Sequence, residues 1–165
     1  MAAITLQNSD IIKGSKLMVF MKVDSVYTPV AFATSHNLSI TMNTSEVSTK
    51  DHGDFPATLG QNITWEVTTE NLYSRNGESM LWNAMKTMQP VQIQFAEATE
   101  YNQTSAEKGI VGLQGAQNWT PDSTHTIATG YALITSLSVN APSGDNATLS
   151  ATFTGTGELA EASSN

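Results

Sequence analysis

The chain reads as mainly β: a β-sandwich or half-barrel of about seven to eight antiparallel strands, with one flanking α-helix and a long loop. Three observations predict this. Thr, Ser and Asn supply 51 of the 165 residues (22, 17 and 12), whereas charged residues are 13%. Thr favours strands, and Ser and Asn favour turns. Apolar residues alternate with uncharged polar ones at period two in several segments, and only one segment carries the i, i+3, i+4, i+7 spacing of a helix. The length fits one domain with a real core.

Residues 1–15 read as an N-terminal arm ending at Gly14-Ser15. Leu17 to Val23 is mostly apolar, as a strand buried on both faces would be. Asp24-Ser25 makes a tight turn into a second strand, Val26 to Thr34, where Pro29 removes a ladder donor and predicts an edge or a bulge. The third strand alternates Leu38, Ile40 and Met42 against Asn37, Ser39 and Thr41. The polar stretch 43–61, with Gly53, Pro56 and Gly60, reads as a long loop, too long for a hairpin turn.

Alternation resumes with Ile63, Trp65 and Val67 against Thr64, Glu66 and Thr68. Asn76-Gly77-Glu78 predicts a helix start capped by Asn76. Leu81, Ala84, Met85 and Met88 form its apolar stripe, and Pro90 ends it. Val91, Ile93 and Phe95 alternate with Gln92, Gln94 and Ala96. Residues 99–125 read as irregular. Thr126 to Val139 is one long strand bent at Gly130. After a turn at 141–145, Leu149, Ala151 and Phe153 face inward while Thr148, Ser150, Thr152 and Thr154 face out. The domain therefore spans 16–157, and 158–165 is a polar tail.

Seven Lys and Arg against fifteen Asp and Glu give a net charge of −8 and a pI near 4.6. Nucleic-acid affinity comes mainly from cations on phosphates, so this chain repels a polyanion. The plain reading of this charge is an ordinary soluble acidic protein; it also suits a protein beside which DNA must pass without sticking. The absence of cysteine excludes disulfides, thiol nucleophiles and cysteine-ligated zinc. No run approaches 18 apolar residues, so no membrane insertion is expected, and the N-terminus lacks the features of a signal peptide.

No catalytic constellation stands out. The sequence has no phosphate-binding loop and no Gly-x-Ser-x-Gly elbow, and Ser105-Ala106-Glu107-Lys108 lacks the partner motifs of penicillin-recognising enzymes. His36, His52 and His125 are far apart, and Asp51-His52-Gly53-Asp54 reads as a polar loop turn. Glu97 and Glu100 are not placed in a cleft by any pattern. Trp65 and Trp82 read as core, leaving Trp119 as the aromatic open to a carbohydrate. No enzyme activity and no cofactor are expected.

Two regions in this order carry a resemblance. The first is Gly14 to Thr34, then Asn37-Leu38-Ser39-Ile40 and Thr49-Lys50-Asp51-His52-Gly53-Asp54-Phe55. The second is Ala132 to Val139, then Ala147 to Gly157. Trp65-Glu66-Val67 and Asn71-Leu72-Tyr73 lie between them. Over roughly residues 14–159 the chain resembles the major tail proteins of long-tailed phages, the tail tube family. The resemblance implies a structural virion protein whose six copies close a ring, the rings stacking into a hollow tail tube that conducts double-stranded DNA. The same fold serves as the inner tube of contractile injection or secretion systems, and a carbohydrate-binding β-sandwich is the reading from another class.

The resemblance further implies that the loop at 43–61 reaches a neighbouring subunit or ring, through Glu46, Thr49, Lys50, Asp51, His52, Gly53, Asp54 and Phe55. Thr64, Glu66, Gln92 and Gln94 are candidates to face the lumen. The partners implied are further copies of the chain, tape-measure and tail-terminator proteins and a sheath, with assembly in the host cytoplasm. Four strands from each of six subunits would give a wall of about 115 Å circumference and about 18 Å radius, enough for a duplex.

Overall fold

The apolar run Leu17–Val23 forms β1 and turns back through Asp24 and Ser25, whose φ values of 47° and 71° are those of a tight hairpin turn. β2 (Val26–Pro29) follows, then β3 (Ala33–Val47), β4 (Ala57–Leu72), α1 (Arg75–Lys86), β5 (Val91–Thr99), β6 (Thr120–Asn140) and β7 (Thr148–Glu161). The computed structural model describes residues 11–12, 14–30, 32–47, 55–99 and 120–161. Among these, seven strands form a single antiparallel sheet in the order β2-β1-β5-β6-β7-β4-β3. The sheet curls far enough for β1 to touch β3, five places away, yet it does not close. Among the described residues both outer edges, β2 and β3, stay unpaired.

Period-two alternation sorts the two faces as the sequence predicts. Val67, Leu149, Ala151, Phe153, Ile93 and Val19 are buried on the face that α1 covers. Thr152 and Thr154 point the other way. A second buried cluster, Met18, Phe20, Ala96 and Ala98 with Tyr27 against it, lies on the opposite face of β1 and β5, so those strands are buried on both sides. Pro29 sits on the edge strand, where its missing N–H costs no ladder bond.

Trp65 organises the middle of the sheet. Its ring lies against Gly130 and Gly155, and its Nε1–H donates to the Gly157 carbonyl at 3.1 Å. Gly157 holds φ at +77°, a conformation other residues rarely adopt. The ladder between β6 and β7 shifts register between Thr129 and Tyr131, so Gly130 does mark a bulge.

α1 is capped by Ser74, not by Asn76. Ser74 is extended (φ −136°, ψ 141°), and its Oγ accepts from the Gly77 N–H at 3.1 Å. Asn76 lies inside the helix, one residue beyond its start. Leu81 is 1% exposed, with Met80, Ala84 and Met85 packed around it. Met88 does not continue this stripe: it lies past the helix end at φ 53° and is 82% exposed. Ser74→Ala is expected to lower unfolding free energy by about 1 kcal/mol, whereas Asn76→Ala should leave the urea midpoint nearly unchanged.

Other boundaries also differ. The segment Val26 to Thr34 is not one strand, because the ladder breaks after Pro29 and Phe32 turns the chain at φ 60°. Thr120 to His125 belong to β6, and Glu158 to Glu161 belong to β7, so neither lies in an irregular stretch or a tail. Trp82 is 47% exposed, its outer ring face met by the Lys86 Nζ at 5.9 Å.

Candidate functional site

The largest departure from the sequence reading falls on 43–61. Its described part is not a loop. Val47 pairs with Ala57, Glu46 with Thr58, Ser45 with Leu59 and Thr44 with Gly60, extending β3 and β4 into a two-stranded ribbon. Skipping Gln61 shifts the register between Asn43 and Thr44. The Asn43 Nδ2 donates to Asn62 Oδ1 at 2.8 Å, adding a side-chain rung where backbone pairing is disturbed. Small polar residues hid this ribbon, since cross-strand pairing is a tertiary choice that single-strand periodicity does not record.

The ribbon carries apolar side chains beyond the reach of the core. Ile40, Met42 and Ile63 follow Leu38 and Val67 along the α1-side face, and each is 58–61% exposed. Phe55, at the distal end, is 87% exposed, and Glu46 is exposed on the ribbon itself. Thr49, Lys50, Asp51, His52, Gly53 and Asp54 lie outside the described residues, as do Glu100 and Trp119. A contiguous exposed apolar strip of this kind marks an interaction surface.

The other feature is a polar face. Thr64 and Glu66 stand exposed on β4. Glu66 pairs with Thr154 of β7, and Thr154 pairs with Leu133 of β6. Gln92 pairs with Tyr131, which pairs with Thr156. Directly paired residues share a face, so all four candidates lie on the side opposite α1. They are not equivalent, however. Gln92 and Gln94 are half-buried, and Gln94 donates to Thr126 Oγ1 near the second buried cluster. The open part of the face spans β6, β7, β4 and β3, four adjacent strands. The hydroxyls of Thr135 and Thr154 bond to each other there at 2.9 Å, and Ser39, Thr41, Thr64, Glu66 and Thr154 line a shallow depression of about 270 Å³.

Charge is segregated. From β3 to β7 the strands contain no Lys or Arg, but seven acids: Glu46, Glu66, Glu70, Glu97, Asp122, Glu158 and Glu161. Lys16, Lys22, Arg75 and Lys86 sit at the β1 end or on α1. The exposed His125 lies 2.9 Å from Asp122, whose hydrogen bond and charge raise its pKa. Among the described residues no group of three or more His, Asp or Glu could hold a metal, and no helix is long and apolar enough to cross a membrane.

An open β sheet whose distinctive surfaces are strands without Lys or Arg and a bare apolar ribbon has the features of a structural, self-assembling class of protein. Comparison with known proteins narrows the class. Residues 12–161 match the phage tail tube protein family, and the chain belongs to it: it is a structural protein of the virion tail. The fold is that of a solved tail of an empty gene transfer agent particle, refined with C6 symmetry (TM-score 0.70, 12% identity, 93% of this chain and 100% of that one). A chain from the virion of a native gene transfer agent particle is similar too (TM-score 0.67, 13% identity, 93% and 100%). No curated protein matches.

Proposed function

We propose that six copies of this chain close into a ring, that rings stack into a hollow tube, and that the open face of β6, β7, β4 and β3 lines the bore through which double-stranded DNA leaves the particle. The observation that carries this reading is the run of five strands without a single Lys or Arg. Cations on phosphates supply most sequence-independent DNA affinity, and a bore that held DNA would impede its exit. Four adjacent strands per subunit, six times over, make the wall of about 18 Å radius that the duplex needs. The C6 symmetry of the similar tail supports the copy number.

The segment from Glu46 to Phe55, with Thr49, Lys50, Asp51, His52, Gly53 and Asp54, is the part of the chain that reaches the next subunit. Tape-measure and tail-terminator proteins, and a sheath where the tail is contractile, are the further partners. The work is mechanical, needs no cofactor, and is prepared by assembly in the host cytoplasm. Negative-stain microscopy of the concentrated protein should show six-fold rings or tubes, and a protein that stays monomeric contradicts the reading.

The lining has its own test. Glu66→Lys with Thr154→Lys is expected to give tubes that assemble yet retain linear duplex DNA, with an affinity falling steeply as salt rises. Wild-type tubes should retain none. Equal retention by both would move the bore to another face.

A further inference from the structure

Where β3 begins, the interior holds polar atoms without partners. His36 pairs with Thr69, which is 1% exposed, so the imidazole points to the α1 side. Both of its ring nitrogens are buried and unbonded, as is Oδ1 of Asn71, two residues along β4 on the same face. The Asn71 Nδ2 donates to Thr69 Oγ1 at 3.2 Å, which satisfies one side of the cluster only. Buried polar groups without partners are rare in native folds and each asks for a reason.

The backbone is irregular at the same place. The β3–β4 register shifts between Ala33 and Ser35, and Phe32, just before the strand, sits at φ 60°, which is uncommon for a bulky residue. Besides the ladder pairs Ala33–Asn71 and Ser35–Glu70, this entry is tied down by the Leu72 N–H donating to the Phe32 carbonyl at 2.9 Å and the Thr34 hydroxyl donating to the Glu70 carbonyl at 3.1 Å. Among the described residues β3 is also an outer strand, with nothing paired to its far side.

We propose that His36, Thr69 and Asn71 form an acid-sensitive latch: a proton taken up by His36 releases the start of β3 from β4 while the rest of the sheet holds. Among the described residues no charge on the neighbouring elements faces His36. β4 turns Val67, Thr69 and Asn71 to this face, β1 turns Val19 and Met21, and the core side of α1 carries Met80, Leu81, Ala84 and Met85. Glu70, the closest carboxylate in the ladder, belongs to the opposite face. Burial alone lowers the His36 pKa from 6.5 to about 4. The depressed value means that the folded state resists the proton which the unfolded chain accepts. Stability is complete above pH 6.5 and is lost as pH falls from 6.5 towards 4.

The test is urea unfolding of the whole chain at pH 7.0 and 4.5, wild type against His36→Leu, with hydrogen exchange corrected for intrinsic rates. The folding equilibrium of the wild type should fall on the order of 50-fold more than that of the variant over this interval. Loss of protection should begin at residues 34–38. Equal pH dependence in the two proteins, or protection lost evenly across the sheet, overturns the proposal. If His36→Leu does not fold, the wild-type His36 ring carbon followed by NMR decides: titration near pH 6.5 is incompatible with the latch, and titration near 4 supports it.

Discussion

Replacing Gly155 by alanine is expected to destabilise the subunit by about 3 kcal/mol or more, among the larger effects available to a single methyl group. A Cβ there falls inside the Trp65 ring, against Cδ2, Cε2 and Nε1. Trp65 is 4% exposed and cannot swing aside into solvent without leaving the core. Overpacking a close-packed interior costs roughly 1–3 kcal/mol, and the Nε1–H bond to Gly157 adds about 1 kcal/mol when it breaks. Thermal unfolding followed by tryptophan fluorescence checks both parts. A matched alanine at Gly144, where a Cβ meets nothing within 4 Å but φ is +91°, should cost only the backbone strain of about 1 kcal/mol. An equal loss of about 1 kcal/mol at the two positions would leave the Trp65 contact without consequence.

The second large effect concerns assembly rather than stability. Met42→Ser with Ile63→Ser removes two of the three exposed side chains of the ribbon's apolar strip, and both residues already face solvent. Surface exchanges of this kind change folding free energy by about 0.5 kcal/mol each or less. Polymerisation should nonetheless fall at least tenfold in rate or extent, measured by light scattering and microscopy. Deleting 48–54, beyond the last paired rung at Val47 and Ala57, should likewise leave a folded subunit that does not form tubes. Normal tubes from both variants would remove the ribbon from the assembly contact, without touching the assignment of the bore.

What the sequence disclosed follows from where local chemistry decides structure. Leu149, Ala151 and Phe153 were readable as an inward row because strict alternation has one solution when one face is buried. The single helix was readable from Leu81, Ala84 and Met85, and the edge position of β2 from Pro29. Its cap was misplaced because Ser74 and Asn76 are both good cap residues, and only the extended backbone at Ser74 separates them. The ribbon of 43–47 and 57–62 was hidden because Ser45 and Gly60 carry no strand signal alone; each is held by its partner across the ladder. Four polar candidates shared a face as alternation implies, yet the half-burial of Gln92 and Gln94 depends on the curl of β1 and β2, which no local pattern encodes. His36 and Asn71 gave no sign either, since a lone polar residue in a strand reads as solvent-facing until its neighbours are known.

Among the described residues the two unpaired margins of the sheet differ greatly in extent, 15 residues in β3 and 4 in β2. When two long margins meet, both are consumed and growth stops at a pair. A long margin meeting a short one leaves the same unlike ends exposed again, so the step repeats without exhausting itself. Any polymer made by that step has a front and a back, and a chain that bends as it grows can return to its own beginning.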